Sequence, residues 1–199
     1  MDRITIKEDA KRQISGYIGM FFIMTLIVSV ITVVVGLIPV AGALLSFIST
    51  ALFDFAFVMI FLALSQGIKP EYNDIFSIFK NTQLCGNALL LEILTMVFTF
   101  LWSLLFVVPG IIKGLSYAMA PYILAENDYF MTPSDAIKES MRIMNGHKLD
   151  LFVLNITFLG WFFASAVTFG LVGIYALPYY RATITNFYNE IKNKPETVL

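Results

Sequence analysis

The sequence predicts an all-α fold: a six-span transmembrane helical bundle of three hairpins, with short interfacial helices on the cytoplasmic side. Three observations predict it. Of 199 residues, 58% are hydrophobic and 14% charged, against about 45–50% and about 25% in soluble domains. Mean hydropathy is +0.80, more apolar surface than a soluble fold of this size has interior to hide. The third observation is a one-sided distribution of Lys and Arg, set out below.

Uncharged windows locate the spans, each needing about 20 apolar residues. No charge occurs from Ile14 to Phe53, room for one span and half of the next. The first span is expected at residues 17–38, ended by the turn Pro39-Val40-Ala41-Gly42. The second, 43–65, carries Asp54, and the third, 87–108, carries Glu92. Pro109-Gly110 reads as a turn into the fourth span, 111–125, with Lys113 near one end and Pro121 inside. The fifth span is 151–169. Residues 170–173 turn the chain into the sixth, 174–188, which holds Arg181 and Pro178. The domain plan is therefore 1–16 as a cytoplasmic amphipathic helix and 17–65 as the first hairpin. Residues 66–125 form an interfacial helix plus the second hairpin, and 126–199 an interfacial helix, the third hairpin and a tail.

Orientation follows from the basic residues. Arg3, Lys7, Lys11 and Arg12 precede the first span. Lys69 and Lys80 lie between spans two and three; Lys138, Arg142 and Lys148 between four and five; Lys192 and Lys194 in the tail. These eleven of the 13 Lys+Arg fall on one side, and the opposite turns contain none. Both termini are expected in the cytoplasm. The start of the chain does not read as a cleavable signal, because the apolar stretch after it is too long.

Three short amphipathic segments are expected on the inner surface. Thr5 and Glu8 read as a capping box opening the N-terminal helix. After Pro70, an α-helical stripe of Tyr72, Ile75, Phe76 and Phe79 faces away from Glu71, Asp74 and Lys80. Thr132 is a candidate N-cap with Pro133 at the first helical position, and Ile137, Met141 and Met144 share a face. An interfacial location suits such stripes. A weak internal repeat is also visible. Spans four and six carry Tyr117-Ala118-Met119-Ala120-Pro121-Tyr122 and Tyr175-Ala176-Leu177-Pro178-Tyr179, with the first hairpin a more diverged copy.

The candidate site is the intramembrane polar cluster Asp54, Glu92, Asn155 and Arg181, structural or substrate-binding. Buried charges at mid-bilayer cost about 2.5–3.5 kcal/mol each and usually face one another or a cavity. Counted at 1.5 Å per residue from the outer turns, Asp54 lies roughly 18 Å down, Asn155 roughly 20 Å and Arg181 about 12–15 Å. Glu92 lies about 24 Å down. Arg181 is thus expected to pair with Asp54, with Asn155 nearby. Pro121 and Pro178 would free the carbonyls of Tyr117 and Ile174. His147 and Lys148, at the start of span five, are candidates for contact with a lipid headgroup.

One His excludes a His-rich metal site, and no nucleophile elbow, P-loop or dinucleotide fingerprint occurs. No cofactor, metal or catalytic residue is expected. A net charge of −1 gives no basic excess for nucleic acid. Cys85 is a single cysteine and forms no intrachain disulfide.

The run from Pro109 through Lys113-Gly114-Leu115-Ser116-Tyr117 to Ala125 resembles the central stretch of a known family. So do Ala136–Ser140, Asn145-Gly146-His147-Lys148, Asp150–Phe152, Phe158–Trp161 and Pro178-Tyr179. That family is catalogued as domain of unknown function nine-seven-five, small multi-pass membrane proteins mostly of Gram-positive bacteria. Leu149 departs from it, standing where Trp is common. The resemblance extends over nearly the whole chain. It implies a bacterial cytoplasmic membrane and an all-helical fold, with no established activity to carry over. The expected function is a non-enzymatic scaffold, accessory subunit or lipid-binding module of the envelope. Its partners would be membrane lipids, another membrane protein or a second copy. The alternatives are a small transporter or channel using the intramembrane charges, and self-protection against membrane-active peptides.

Overall fold

A computed structural model describes residues 3–127 and 131–192. Among them the chain is all helix, in the order α1 Arg3–Ile14, α2 Ile18–Gly36, α3 Gly42–Ser65, a 3-10 helix Tyr72–Lys80, α4 Thr82–Leu105, α5 Val107–Tyr117, α6 Ala120–Asn127, α7 Pro133–Ile143, α8 Lys148–Val167 and α9 Gly173–Lys192. Lys194 of the expected tail lies outside the described residues. Five segments are long and apolar enough to cross a membrane: Ile18–Gly36, Gly42–Ser65, Thr82–Leu104, Val107–Asn127 and Lys148–Val167. The sixth expected span lies within α9, which is as long as α8 but carries Arg181, Glu190 and Lys192.

Burial divides the long helices into two layers. In their apolar windows, α2, α4 and α8 are 11%, 17% and 17% buried, whereas α3 and α5–α6 are 56% and 44% buried. α9 joins the inner layer, with Ala176, Tyr179, Ala182, Thr183, Phe187 and Tyr188 enclosed. An inner helix meets protein rather than surroundings, so α9 tolerates polar residues that α2 does not.

The packing is cyclic. Each outer helix lies on the inner helix that follows it: α2 on α3, α4 on α5, α8 on α9. Each also lies on the inner helix before it: α4 on α3, α8 on α5 and, closing the circle, α2 on α9. The short helices obey the same rule. The 3-10 helix packs on α3, α7 on α6 and α5, and α1 on α9. The junctions into α2 and α8 have the same backbone. Gly16 (φ 90°) and Gly146 (φ 83°) are left-handed. Tyr17 and His147, which follow them, share φ −111° and ψ 1°. The fold thus links the first and third units at their entries, where the sequence repeat links the second and third at Tyr117 and Tyr175. Those two tyrosines make similar tilted ring contacts with their outer helices, against Phe98 and Trp161.

Several local expectations are corrected. The turn before the fourth span is the single extended residue Phe106 (φ −160°, ψ 145°). Pro109-Gly110 lies within the first turns of α5, where a proline N–H is not needed. The helices are pressed together there: a Cβ on Gly110 would stand 2.2 Å from Ser103 Oγ and 2.9 Å from its Cα. The fourth span is two helices, and Pro121 is the second residue of α6 rather than an interior kink. Thr5 lies inside α1, not at its cap.

The short helices use their apolar stripes on the chain itself. Ile6, Ala10 and Ile14 of α1 are buried. The segment after Pro70 is a 3-10 helix, whose three residues per turn align Ile75 with Ile78, and both are fully buried. Phe76 and Phe79, expected on the stripe, are 39% and 48% exposed and meet Phe53 edge-on. In α7, Thr132 caps as expected, accepting from the Asp135 N–H at 3.2 Å, and Ala136, Ile137, Ser140 and Met144 are enclosed.

Candidate functional site

Parallel packing of α3 and α9 sets the central pair. Arg181 Nη2 donates to Asp54 Oδ1 at 2.5 Å, and its guanidinium lies 4.4 Å from the centre of the Phe57 ring, one turn along α3. Further along both helices, Asn189 donates to Ser65 Oγ at 2.8 Å. Asn155 is reached by the neighbour of Arg181: the Tyr180 hydroxyl donates to Asn155 Oδ1 at 3.1 Å. The structure therefore brings Asp54, Arg181 and Asn155 to one level of the α3/α9/α8 seam, with Tyr180 as a link the sequence reading lacked.

Glu92 sits on α4, within electrostatic range of Asp54, but makes no ion pair among the described residues. The Arg181 guanidinium is thus held by Asp54, and Glu92 stands as a second carboxylate beside that pair. The cluster is not enclosed, as mutual burial would require: the Asp54 side chain is 57% exposed and that of Arg181 29%. Glu92 is exposed as well. The fourth charge expected within the spans, Lys113, stands apart with its ammonium 4.9 Å over the Trp102 ring of α4.

The expected lipid-contact pair divides. His147 Nδ1 is 3.5 Å from Asp150 Oδ2, and Arg3 of α1 donates to the other Asp150 oxygen at 2.7 Å. His147 therefore belongs to a cluster that ties α1 to the start of α8. Lys148 is half-buried in the first turn of α8.

Two features escaped the sequence reading. Ser140 of α7 plugs the break between α5 and α6. Its hydroxyl donates to the Ser116 carbonyl at 2.7 Å and accepts from the Met119 N–H at 3.2 Å. The second is a cationic row on α1. Arg3, Lys7 and Lys11 follow an i, i+4, i+8 spacing, a signal legible in the sequence but absorbed there into the charge count. Lys7 donates to Thr157 Oγ1 and lies 4.7 Å over the Phe158 ring. Lys11 lies 5.5 Å over the Tyr179 ring. Burial, and then the charge of Lys11, lower the pKa of Lys7. On the exposed side of α7, the Thr132 hydroxyl and Lys138 hold the Asp135 carboxyl below its ordinary value.

A polar cleft of about 440 Å³ opens where α1, the end of α3 and α9 meet, lined by Thr5, Ile6, Asp9, Ser65, Asn186, Asn189 and Glu190. A tighter gap beside Arg181 is walled by Phe21, Phe57, Phe61 and Pro178.

These features define a class: an all-helical protein with several helices long and apolar enough to span a membrane, and charged side chains set among them. Residues 104–195 match the model of the family described as Protein of unknown function (DUF975), the family whose motifs the chain resembles. The match runs from the end of α4 through α9 and leaves residues 1–103 outside it. It is carried by the second part of the chain rather than by nearly all of it. No curated protein and no solved structure matches the chain.

Proposed function

We propose that the chain is a six-span, non-enzymatic protein of the bacterial cytoplasmic membrane, a scaffold, accessory subunit or lipid-binding module with both termini inside. In this reading α2–α3, α4–α5/α6 and α8–α9 are three hairpins. α9 is the sixth span, its 20 residues giving about 30 Å of helix, with its polar groups turned to protein. The connections at 37–41, 106 and 168–172 hold no Lys or Arg, and face outward.

The observation that carries the functional reading is the mutual use of polar side chains within the spans. Arg181 is held by Asp54 and Phe57, and Asn155 by Tyr180. Groups matched to one another in this way hold helices in register. A second reading rests on Asp54 and Glu92: two exposed carboxylates within electrostatic range of each other, one of them paired with Arg181, suit a proton- or cation-coupled transporter. The experiment is ion and proton flux in proteoliposomes, with lipids retained by the purified protein identified by mass spectrometry. Retained lipid without flux is the expected result. Flux abolished by Asp54→Asn or Glu92→Gln would replace this reading with the transporter.

A further inference from the structure

We infer that Lys7 and Lys11 of α1, set against the aromatic wall of α8 and α9, form a binding site for the phosphate of an anionic phospholipid. The inference rests on the lipid-binding form of the reading above and gives it a location.

Three observations carry it. The first is charge. Lys7 and Lys11 are one helical turn apart on one face, where like charges repel. Their contacts among the described residues are a hydroxyl and two aromatic rings, with no carboxylate. Of the acids nearby, Asp9 is committed to Arg12 and Asp150 to Arg3 and His147, and the exposed Glu8 makes no ion pair with either lysine among the described residues. Beside the lysines, the Arg3 Nε–H is buried and lacks an acceptor. Among the described residues, Lys7 and Lys11 are therefore cations without an ion-pair partner.

The second observation is depth. α1 runs parallel to α8, with Arg3 at Asp150 and Lys7 at Thr157. Seven residues of helix place Lys7 about 10 Å beyond Asp150, and Lys11 lies further on, at Tyr179. An unneutralised cation there is costly unless its stem reaches back to a headgroup or the headgroup comes to it. Lys11 is exposed and Lys7 half-exposed, so a phosphate reaches both.

The third is the wall. Trp161 and Tyr175 meet in a tilted contact beside Tyr179, and on α8 with Trp161, Leu159 and Phe163 are 61% and 74% exposed. The exposed apolar side chains beside these rings offer acyl chains a surface. A free phosphate would use the lysines but not that surface.

The test uses the full-length protein in detergent, titrated with phosphatidylglycerol, phosphatidylcholine or inorganic phosphate and read by native mass spectrometry. Phosphatidylglycerol should be retained in preference to phosphatidylcholine. The K7Q/K11Q double variant should lose that preference by roughly thirtyfold, the contribution of two lysines near a headgroup. K7R/K11R should keep it. Inorganic phosphate should compete weakly; equal competition would mean a free-anion site and overturn the lipid assignment. Should K7Q/K11Q fail to fold, the exposed single variant K11Q carries the test, with about fivefold loss expected. A preference unchanged in a folded glutamine variant would overturn the site but leave the lipid-binding reading. No preference in the wild-type protein would remove both.

Discussion

Replacing Asp54 by Asn leaves the Arg181 guanidinium with Phe57 as its remaining close contact on α3. The expected loss is about 2–3 kcal/mol, the scale of one uncompensated charge in a span. Removing Arg181 as well should restore much of it, so Asp54→Asn with Arg181→Gln should be more stable than the sum of the single variants by about 1–2 kcal/mol. Unfolding in detergent under denaturant measures all three, and simple additivity would show that the pair carries no coupling. The depth count made this partner legible from the sequence, because two parallel helices that each begin after a turn bring residues at similar offsets together. Exposure was not legible. The count gives level but not azimuth, and Asp54 is on the open side of α3 while Phe55 and Phe57 are enclosed.

At the scale of elements, the break between α5 and α6 depends on a third helix. Ser140→Ala deletes the group that satisfies both the Ser116 carbonyl and the Met119 N–H in a buried setting. The expected cost is about 1–3 kcal/mol for buried polar groups left unmade. Faster hydrogen exchange should be confined to residues around 116–120 and α7. Exchange unchanged at Met119 would mean that the serine is not what holds the break. Pro121 announced a discontinuity in the sequence, and Thr132 with Pro133 announced α7. That the two meet was not readable, because nothing local records which serine faces a gap 21 residues away. The same holds for the segment after Pro70. Its apolar spacing fits an α-helix, yet the buried residues are Ile75 and Ile78, a period of three selected by contact with α3. For α1 the stripe Ile6, Ala10 and Ile14 was visible as apolar spacing, but it is short enough to suit a bilayer surface or a neighbouring helix equally well. Packing on α9 decided between them.

Taken whole, the molecule is a ring of three units in which the start of the chain completes the circle begun by its end: α1 and α2 occupy on α9 the places that the 3-10 helix and α4 occupy on α3. The pattern of long helices was legible because α2, α4 and α8, little buried by the rest of the chain, are nonetheless long apolar runs. The weakest sequence signal, residues 174–188, belongs to an inner helix that is shielded by its neighbours and so free to carry Arg181 and buried threonines. The central claim is that this ring crosses the membrane six times with the short helices inside. Single cysteines at Val40, Phe106 and Phe169, residues 107%, 73% and 100% exposed in the connections, test it against cysteines at the exposed Asn73 and Ser134. In intact cells a membrane-impermeant thiol reagent should label the first three and reach the last two only after the membrane is opened. Labelling of Asn73 or Ser134 from outside, or protection of Phe169 where Val40 and Phe106 react, would contradict the six-span ring.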